Sequence, residues 1–382
     1  MFYSPHPLLR KRETETATVS YSELLFDLIY VFSVTQLSHY MLHNLTWEGL
    51  LKHTIWVTNW FNPDTRPIRI LLFISMLVGL VMAAAIPYAF TYRGLIFAVC
   101  YVLIQAGRTL YIIGVLGDHH LAANFKRIMG WFCISAVFWI TGAILQGEWQ
   151  ILLWIIAAIC DYTAPMHGFA LPRLGRSDSS KEWTIEGHHL VERCQLFVII
   201  AFGETLLMTG ASLSEVEEWT PLVIISAVIS FIGSLAMWWV YFDVSSEAGS
   251  RKIQEVKDPG KLGLIYNAIH IVLVGALIIC AVGDELIVAH PEQEMRAEVV
   301  FVLIIGPIVY ILANSIYKYV TCRMLPLSHI IAVIALALLL PWPYHISLLT
   351  MNILVTSVFI FVIVFDMLFP NKGFKIKWEP KI

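Results

Sequence analysis

Eleven apolar runs, each close to the twenty or so residues a helix needs to cross a hydrocarbon core of about 30 Å, occupy most of this 382-residue chain. They fall at 21–42, 68–90, 94–116, 127–146, 149–167, 191–212, 220–243, 263–288, 297–320, 326–343 and 345–369. A water-facing surface could not cover them. Charged residues make up 14% of the chain and hydrophobic ones 58%, against about 25% charged in a typical soluble domain. The expected fold class is therefore all-α, a polytopic transmembrane helix bundle with the lipid bilayer as its partner. Pro63, Pro67, Pro221, Pro259, Pro326, Pro341 and Pro343 stand at the joins, where proline begins or ends helices.

Several function classes drop out. Lys plus Arg is 25 and Asp plus Glu 28, for a net charge of −3, which lacks the basic footprint of a nucleic-acid binder. Cys100, Cys133, Cys160, Cys194, Cys280 and Cys322 are scattered singly, so they read as core packing and not as a disulfide framework or zinc knuckle. The first twenty residues hold a basic cluster with no apolar stretch ending in a small-residue cleavage site, and a mature N-terminus is expected.

Segment 47–61, WEGLLKHTIWVTNWF, does not fit the series. Its length reaches about 22 Å as a helix, and it includes Glu48, Lys52 and His53. With Trp47, Trp56 and Trp60 it reads as a short interfacial segment. Basic residues complicate that reading, because cytoplasmic loops collect Lys and Arg. If 47–61 counts as a crossing, both termini lie inside, and of the loop cations only Arg93 and Arg296 fall outside. Charge favours twelve crossings and length favours eleven.

An internal repeat reconciles the two. IYVFSVTQL at 29–37 aligns with IIAFGETLL at 199–207 at an offset of 170, whereas LVGL at 77–80 aligns with LVGA at 273–276 at an offset of 196. A longer loop at 244–262 can account for part of the added 26 residues, but the second half also owns an intact span, VIISAVISFIGSLAMWWVYFD, where the first half has only the short segment. A six-plus-six parallel repeat with a shortened second helix follows. The expected organisation is a cytoplasmic N-terminal segment (1–20), a first transmembrane half (21–167), a cytoplasmic linker (168–190), a second half (191–369) and a cytoplasmic tail (370–382).

ELLFDLIYVFSVTQLSH (23–39), TWEG (46–49), WVTNWFNPDTRPIRILL (56–72), GLVMAAAIPYAF (79–90), AVCYVLIQAGRTLY (98–111) and HLVERCQLFVIIAFGETLLMTGA (189–211) resemble the bacterial low temperature requirement A (LtrA) family. The resemblance runs in order over nearly the whole chain. It implies a multi-pass protein of the inner (cytoplasmic) membrane connected with growth in the cold, and no particular substrate. Family members carry a long apolar, Trp-rich stretch between the motifs matching TWEG and WVTNW, which this sequence lacks.

Ionisable groups at membrane depth are costly and so tend to be paired and functional. Glu23 and Asp27 share a face of the first span, with Thr35, Gln36 and His39 further along. The repeat sets Glu23 against Arg193, and an ion pair between the halves is expected there, directly or through Glu192. Arg108 has no carboxylate in its own span, which makes Asp27 and Glu204 its candidate partners. His188, His189 and Glu192 have ligand-compatible helical spacing but lack an HExxH signature, so neither a metal nor a cofactor is expected. Asp243 and Asp366, at span ends, read as reaching the headgroups. His270 and His329 could relay protons, although a lone His on an apolar helix more often hydrogen-bonds a nearby carbonyl. Gly79 with Ala83, Ala84 and Ala85 suits close helix contact.

The expected function is a transporter or channel for a small solute or ion. Its polar path would comprise Asp27, Gln36, Arg108, Arg193 and Glu204, with Glu23, Glu192 and Arg193 as structural ion-pairing residues. The alternative is a non-transporting membrane sensor or assembly protein linked to growth at low temperature. No nucleophile with a local base and no phosphate-binding glycine loop is present, so an enzyme is not expected. Self-association into a homo-oligomer stays open.

Overall fold

The computed structural model describes residues 21–43, 65–178, 187–243, 259–341, 346–370 and 372–375. The 47–61 segment lies outside them, as do the N-terminal segment and most of the tail. Eleven helices follow in order: α1 (Tyr21–His43), α2 (Arg66–Ala85, continued by a 3-10 turn to Tyr88), α3 (Gly94–Leu116), α4 (Leu121–Leu145), α5 (Gly147–Met166), α6 (Gly187–Glu215), α7 (Pro221–Phe242), α8 (Pro259–Ala289), α9 (Ala297–Val300 through Gly306–Cys322), α10 (Leu327–Leu339) and α11 (Leu348–Leu368). Two short strands, β1 (Met324–Pro326) and β2 (Gly373–Lys375), pair antiparallel and tie the chain after α11 to the start of α10.

Each helix sits on a predicted apolar run. Among the described residues, nine are long and apolar enough to cross a membrane. The other two are α1, whose first turns hold Glu23 and Asp27, and α10, whose 13 residues reach about 20 Å. Pro326 is the N-cap of α10 in an extended conformation, so the helix begins late.

Local chemistry sets several ends. Thr220 caps α7 by accepting from the Val223 N–H at 3.3 Å, with Pro221 in the first turn. Ser347 caps α11 by accepting from the Thr350 N–H at 3.2 Å. These caps satisfy helix N–H groups that have no partner in the helix itself. Gln146 and Gly147, both at positive φ, make the tight join between α4 and α5, where glycine tolerates the left-handed backbone at little cost.

α8 and α9 are the most buried spans, and α8 packs on α6, α7, α9 and α1. The larger core gathers around Leu273, Leu277, Tyr266 and Tyr310. A second core joins α3, α4 and α5 through Phe97, Tyr101, Trp139 and Trp154, whose rings lie within 4.7–6.3 Å of one another. The small residues of α2 allow the close contact expected of them: a Cβ on Gly79 would stand 3.2 Å from Ile29 of α1. Cys100, Cys194 and Cys280 pack in the interior, but Cys133 and Cys322 are exposed. The core-packing reading therefore fails for those two, whose helix faces point outward.

Two helices carry a π segment, Leu103–Gly107 in α3 and Phe301–Ile305 in α9. Such widened turns insert an extra residue and re-aim the side chains after it.

Candidate functional site

The first turns of α1 and α6 face each other and carry opposite charge. On α1, Glu23 and Asp27 are four residues apart; on α6, so are His189 and Arg193, so each pair shares a helical face. Arg193 Nη2 donates to Asp27 Oδ1 at 2.7 Å, and Nη1 lies 3.5 Å from Glu23 Oε1. His189 Nε2 meets the same Glu23 oxygen at 3.0 Å. All four side chains are buried. A guanidinium suits this place because its planar fork can serve two acids at once.

The expected Glu23–Arg193 pair is present, but Asp27 makes the shorter contact. Glu192 takes no part in it. Adjacent helix positions are about 100° apart, so the turn that aims Arg193 at α1 aims Glu192 elsewhere, and its Oε2 has no hydrogen bond. His189 was considered with His188 and Glu192 as a metal ligand; it instead binds Glu23.

Eleven residues further along α6, Glu204 Oε2 accepts from Thr35 Oγ1 of α1 at 2.7 Å. Glu204 is 1% exposed. Gln36 is half-buried, and the contact expected near it is made by its neighbour Thr35. Near the far end, Ser212 of α6 donates to the Glu285 backbone oxygen of α8 at 3.1 Å, and the Glu285 carboxylate feels the charges of Glu215 and Glu204.

Arg108 corrects a further expectation. Its Nη2 donates to Gln105 Oε1 at 2.8 Å, while Asp27 is taken by Arg193 and Glu204 by Thr35. Gln105 stands one turn before Arg108 on the same helix face, and its backbone oxygen accepts from Thr109 Oγ1 at 2.7 Å. Arg108, Gln105 and Tyr101 line a small crevice with Ser33 and Ser75, of about 30 Å³, roughly the volume of one water. From there the polar groups continue to Asp161 of α5, whose Oδ2 accepts from Tyr101 at 2.6 Å and from Trp139 at 3.1 Å.

Sequence reasoning passed over Asp161, Asp284 and Glu285, although all three carboxylates lie inside predicted spans. It also read Asp366 as a headgroup contact. Asp366 instead accepts from Lys318 at 3.1 Å and Ser328 at 2.6 Å, and His329 sits between Lys318 and Ser315. His270 does meet a carbonyl, that of Tyr266, at 2.7 Å, with Tyr241 on its other nitrogen. Among the described residues no group of three His, Cys, Asp or Glu could hold a metal ion.

These features define a multi-pass membrane protein built from apolar helices, with a cluster of buried charges where α1 meets α6. The description "Bacterial low temperature requirement A protein (LtrA)" belongs to the family that matches residues 18–364, and the chain is a member of it. It is similar to an uncharacterized protein of Rhizobium meliloti (strain 1021), at 35% identity over 345 residues covering 85% of this chain and 83% of that one. No solved structure matches it.

Proposed function

We propose that this protein is a transporter or channel of the inner membrane that moves a small solute or ion along the seam between α1 and α6. One observation carries the reading. Arg193, Glu204 and Glu215 recur on α6 every eleven residues, which is three turns, so they fall on one stripe. From first to last the stripe spans about 33 Å, the thickness of a hydrocarbon core. α1 lays Asp27 and Thr35 against two of its three positions. A packing seam has no need of a charge at every third turn, whereas a polar path through lipid does.

The reading includes eleven full-length spans, halves derived from six helices each, and a cytoplasmic N-terminus, which the inside bias of Lys and Arg supports when the short segment 47–61 also counts as a crossing. The paired π segments support the repeat: they occupy corresponding helices, and the offset between them is within two residues of the one that aligns LVGL with LVGA. Parallel repeats of this kind occur in transporters. No catalytic role is proposed.

In proteoliposomes, flux or current should fall on Glu204→Gln or Arg108→Ala. An active parent protein with both variants unchanged would remove these residues from the path. The sensor or assembly reading draws on the pairing of Arg193 with Asp27 and Glu23 within the chain. That reading expects simultaneous neutral replacement of the paired groups to preserve function, whereas the transport reading expects it to abolish flux.

A further inference from the structure

Asp284, near the end of α8, is 7% exposed and is enclosed by polar groups from three other helices. α7 presents the Ser230 and Ser234 hydroxyls to its carboxylate. Asn352 of α11 donates from Nδ2 to Ser230 Oγ at 2.9 Å, and Ser234 donates to Thr205 Oγ1 of α6 at 3.0 Å. Counting hydrogens narrows what this nest can do. Ser230 accepts from Asn352, which leaves its own O–H for Asp284. Ser234 gives its one hydrogen to Thr205, so toward Asp284 it offers a lone pair. The nest thus presents one donor and one acceptor, and can hydrogen-bond a carboxyl with or without its proton. Oδ2 of Asp284 is buried and takes no hydrogen bond.

Among the described residues no Lys, Arg or His forms an ion pair with Asp284; Arg193 and Lys318 are engaged by other acids. The titratable groups nearest it add no positive charge. Cys280 lies one turn back on α8, Glu285 follows directly, and Glu204 and Glu215 of α6 lie near Glu285. α7 faces it with two hydroxyls, and the α11 amide stands behind one of them, Ser230. The charge of a carboxylate so placed can be cancelled only by a proton or a bound cation. A transition-metal ion would need further acidic or imidazole ligands in reach, and among the described residues no such group is present; an alkali cation is distinguished from a proton by adding sodium at constant pH.

We propose that Asp284 is a reversible proton-binding site, and that its proton is the coupling ion of the transport proposed above, a reading on which only the second clause rests. The site and the transport can be tested apart. Infrared difference spectra of the purified, lipid-reconstituted protein, recorded while buffer pH is stepped, read a protonated carboxyl directly. A carboxyl C=O band should be present at acidic pH, vanish on alkalinisation, be missing in Asp284→Asn and shift in frequency in Asp284→Glu. A band unaltered in Asp284→Asn, no band at all, or a band removed by sodium at constant pH would overturn the proton site. Vesicles carrying an entrapped pH dye, with a potassium diffusion potential imposed, then read proton entry. Entry should fall at least tenfold in Asp284→Asn. The infrared band present without proton entry in the parent protein would leave the site standing and overturn its role as coupling site.

Discussion

The seam between α1 and α6 and the nest around Asp284 both bury carboxylates in the same bundle, and they neutralise them in different ways. In the seam, Glu23 and Asp27 meet a fixed cation, Arg193, with His189 at the edge. In the nest, Asp284 meets hydroxyls that carry no charge, one of them held in turn by the Asn352 amide. A fixed counter-charge pins two helices together and resists change; a neutral hydrogen-bonding shell leaves the charge state of its acid free to alternate. The same residue type is thus a lock in one place and a reactive group in the other, and the partner decides which.

The largest test of that contrast is to remove the lock's cation. Arg193→Met leaves Glu23 and Asp27 buried without their counter-charge, and breaking such a pair from one side costs about 3–5 kcal/mol. Unfolding in detergent, followed by tryptophan fluorescence, should show the loss. Adding Glu23→Gln and Asp27→Asn should recover most of it, because a neutral set of similar volume removes the desolvation penalty along with the attraction. A triple variant as unstable as Arg193→Met would mean that the seam's shape, and not its charge balance, holds α1 to α6.

The nest should respond less. Ser230→Ala strips Asn352 Nδ2 of its acceptor and Asp284 of its donor, at a cost of about 1–3 kcal/mol for polar groups left buried and unpaired. Asp284→Asn, in contrast, should stay within about 1 kcal/mol of the parent protein in the same assay, since the amide still accepts from Ser230 and no charge is left behind. If Asp284→Asn instead cost as much as Arg193→Met, Asp284 would be ionically fixed as well, and the contrast between the two regions would disappear.

How much of this the sequence disclosed follows from which forces act locally. Apolar runs of span length located every described helix, because burial of the backbone in lipid admits few other solutions. Glu23 and Arg193 were found as partners because the alignment of 29–37 with 199–207 sets their positions against each other. Arg108 was misassigned because a carboxylate partner was expected: Asp27 and Glu204 are held by Arg193 and Thr35, and the contact Arg108 makes is to a neutral amide one turn back on its own helix. Asp284 was missed because it stands near the end of its run, where a carboxylate is ordinarily expected to reach water. The chain after α8 prevents that: Met295 donates to the Ile346 oxygen at 3.2 Å and Leu348 to the Gln293 oxygen at 3.0 Å, so the α8–α9 connection is bound to the start of α11. Asp366 was missed for a related reason, since Lys318 reaches it from a helix 48 positions away.

The smallest effect is expected beside the largest. Glu192 is the chain neighbour of Arg193 and was a candidate for the same ion pair, yet its carboxylate faces away from α1 and its Oε2 makes no hydrogen bond. Glu192→Gln removes a charge whose Oε2 takes no hydrogen bond among the described residues, so stability should move by no more than about 0.5 kcal/mol, and combining it with Arg193→Met should give additive losses, as expected of sites that do not interact. The addition of the two is the sharper measurement. Coupling beyond about 0.5 kcal/mol between neighbours 192 and 193 would show that Arg193 senses acid on both sides of α6, and the seam would then have to be redrawn as a charge cluster surrounding that helix and no longer a contact confined to one of its faces.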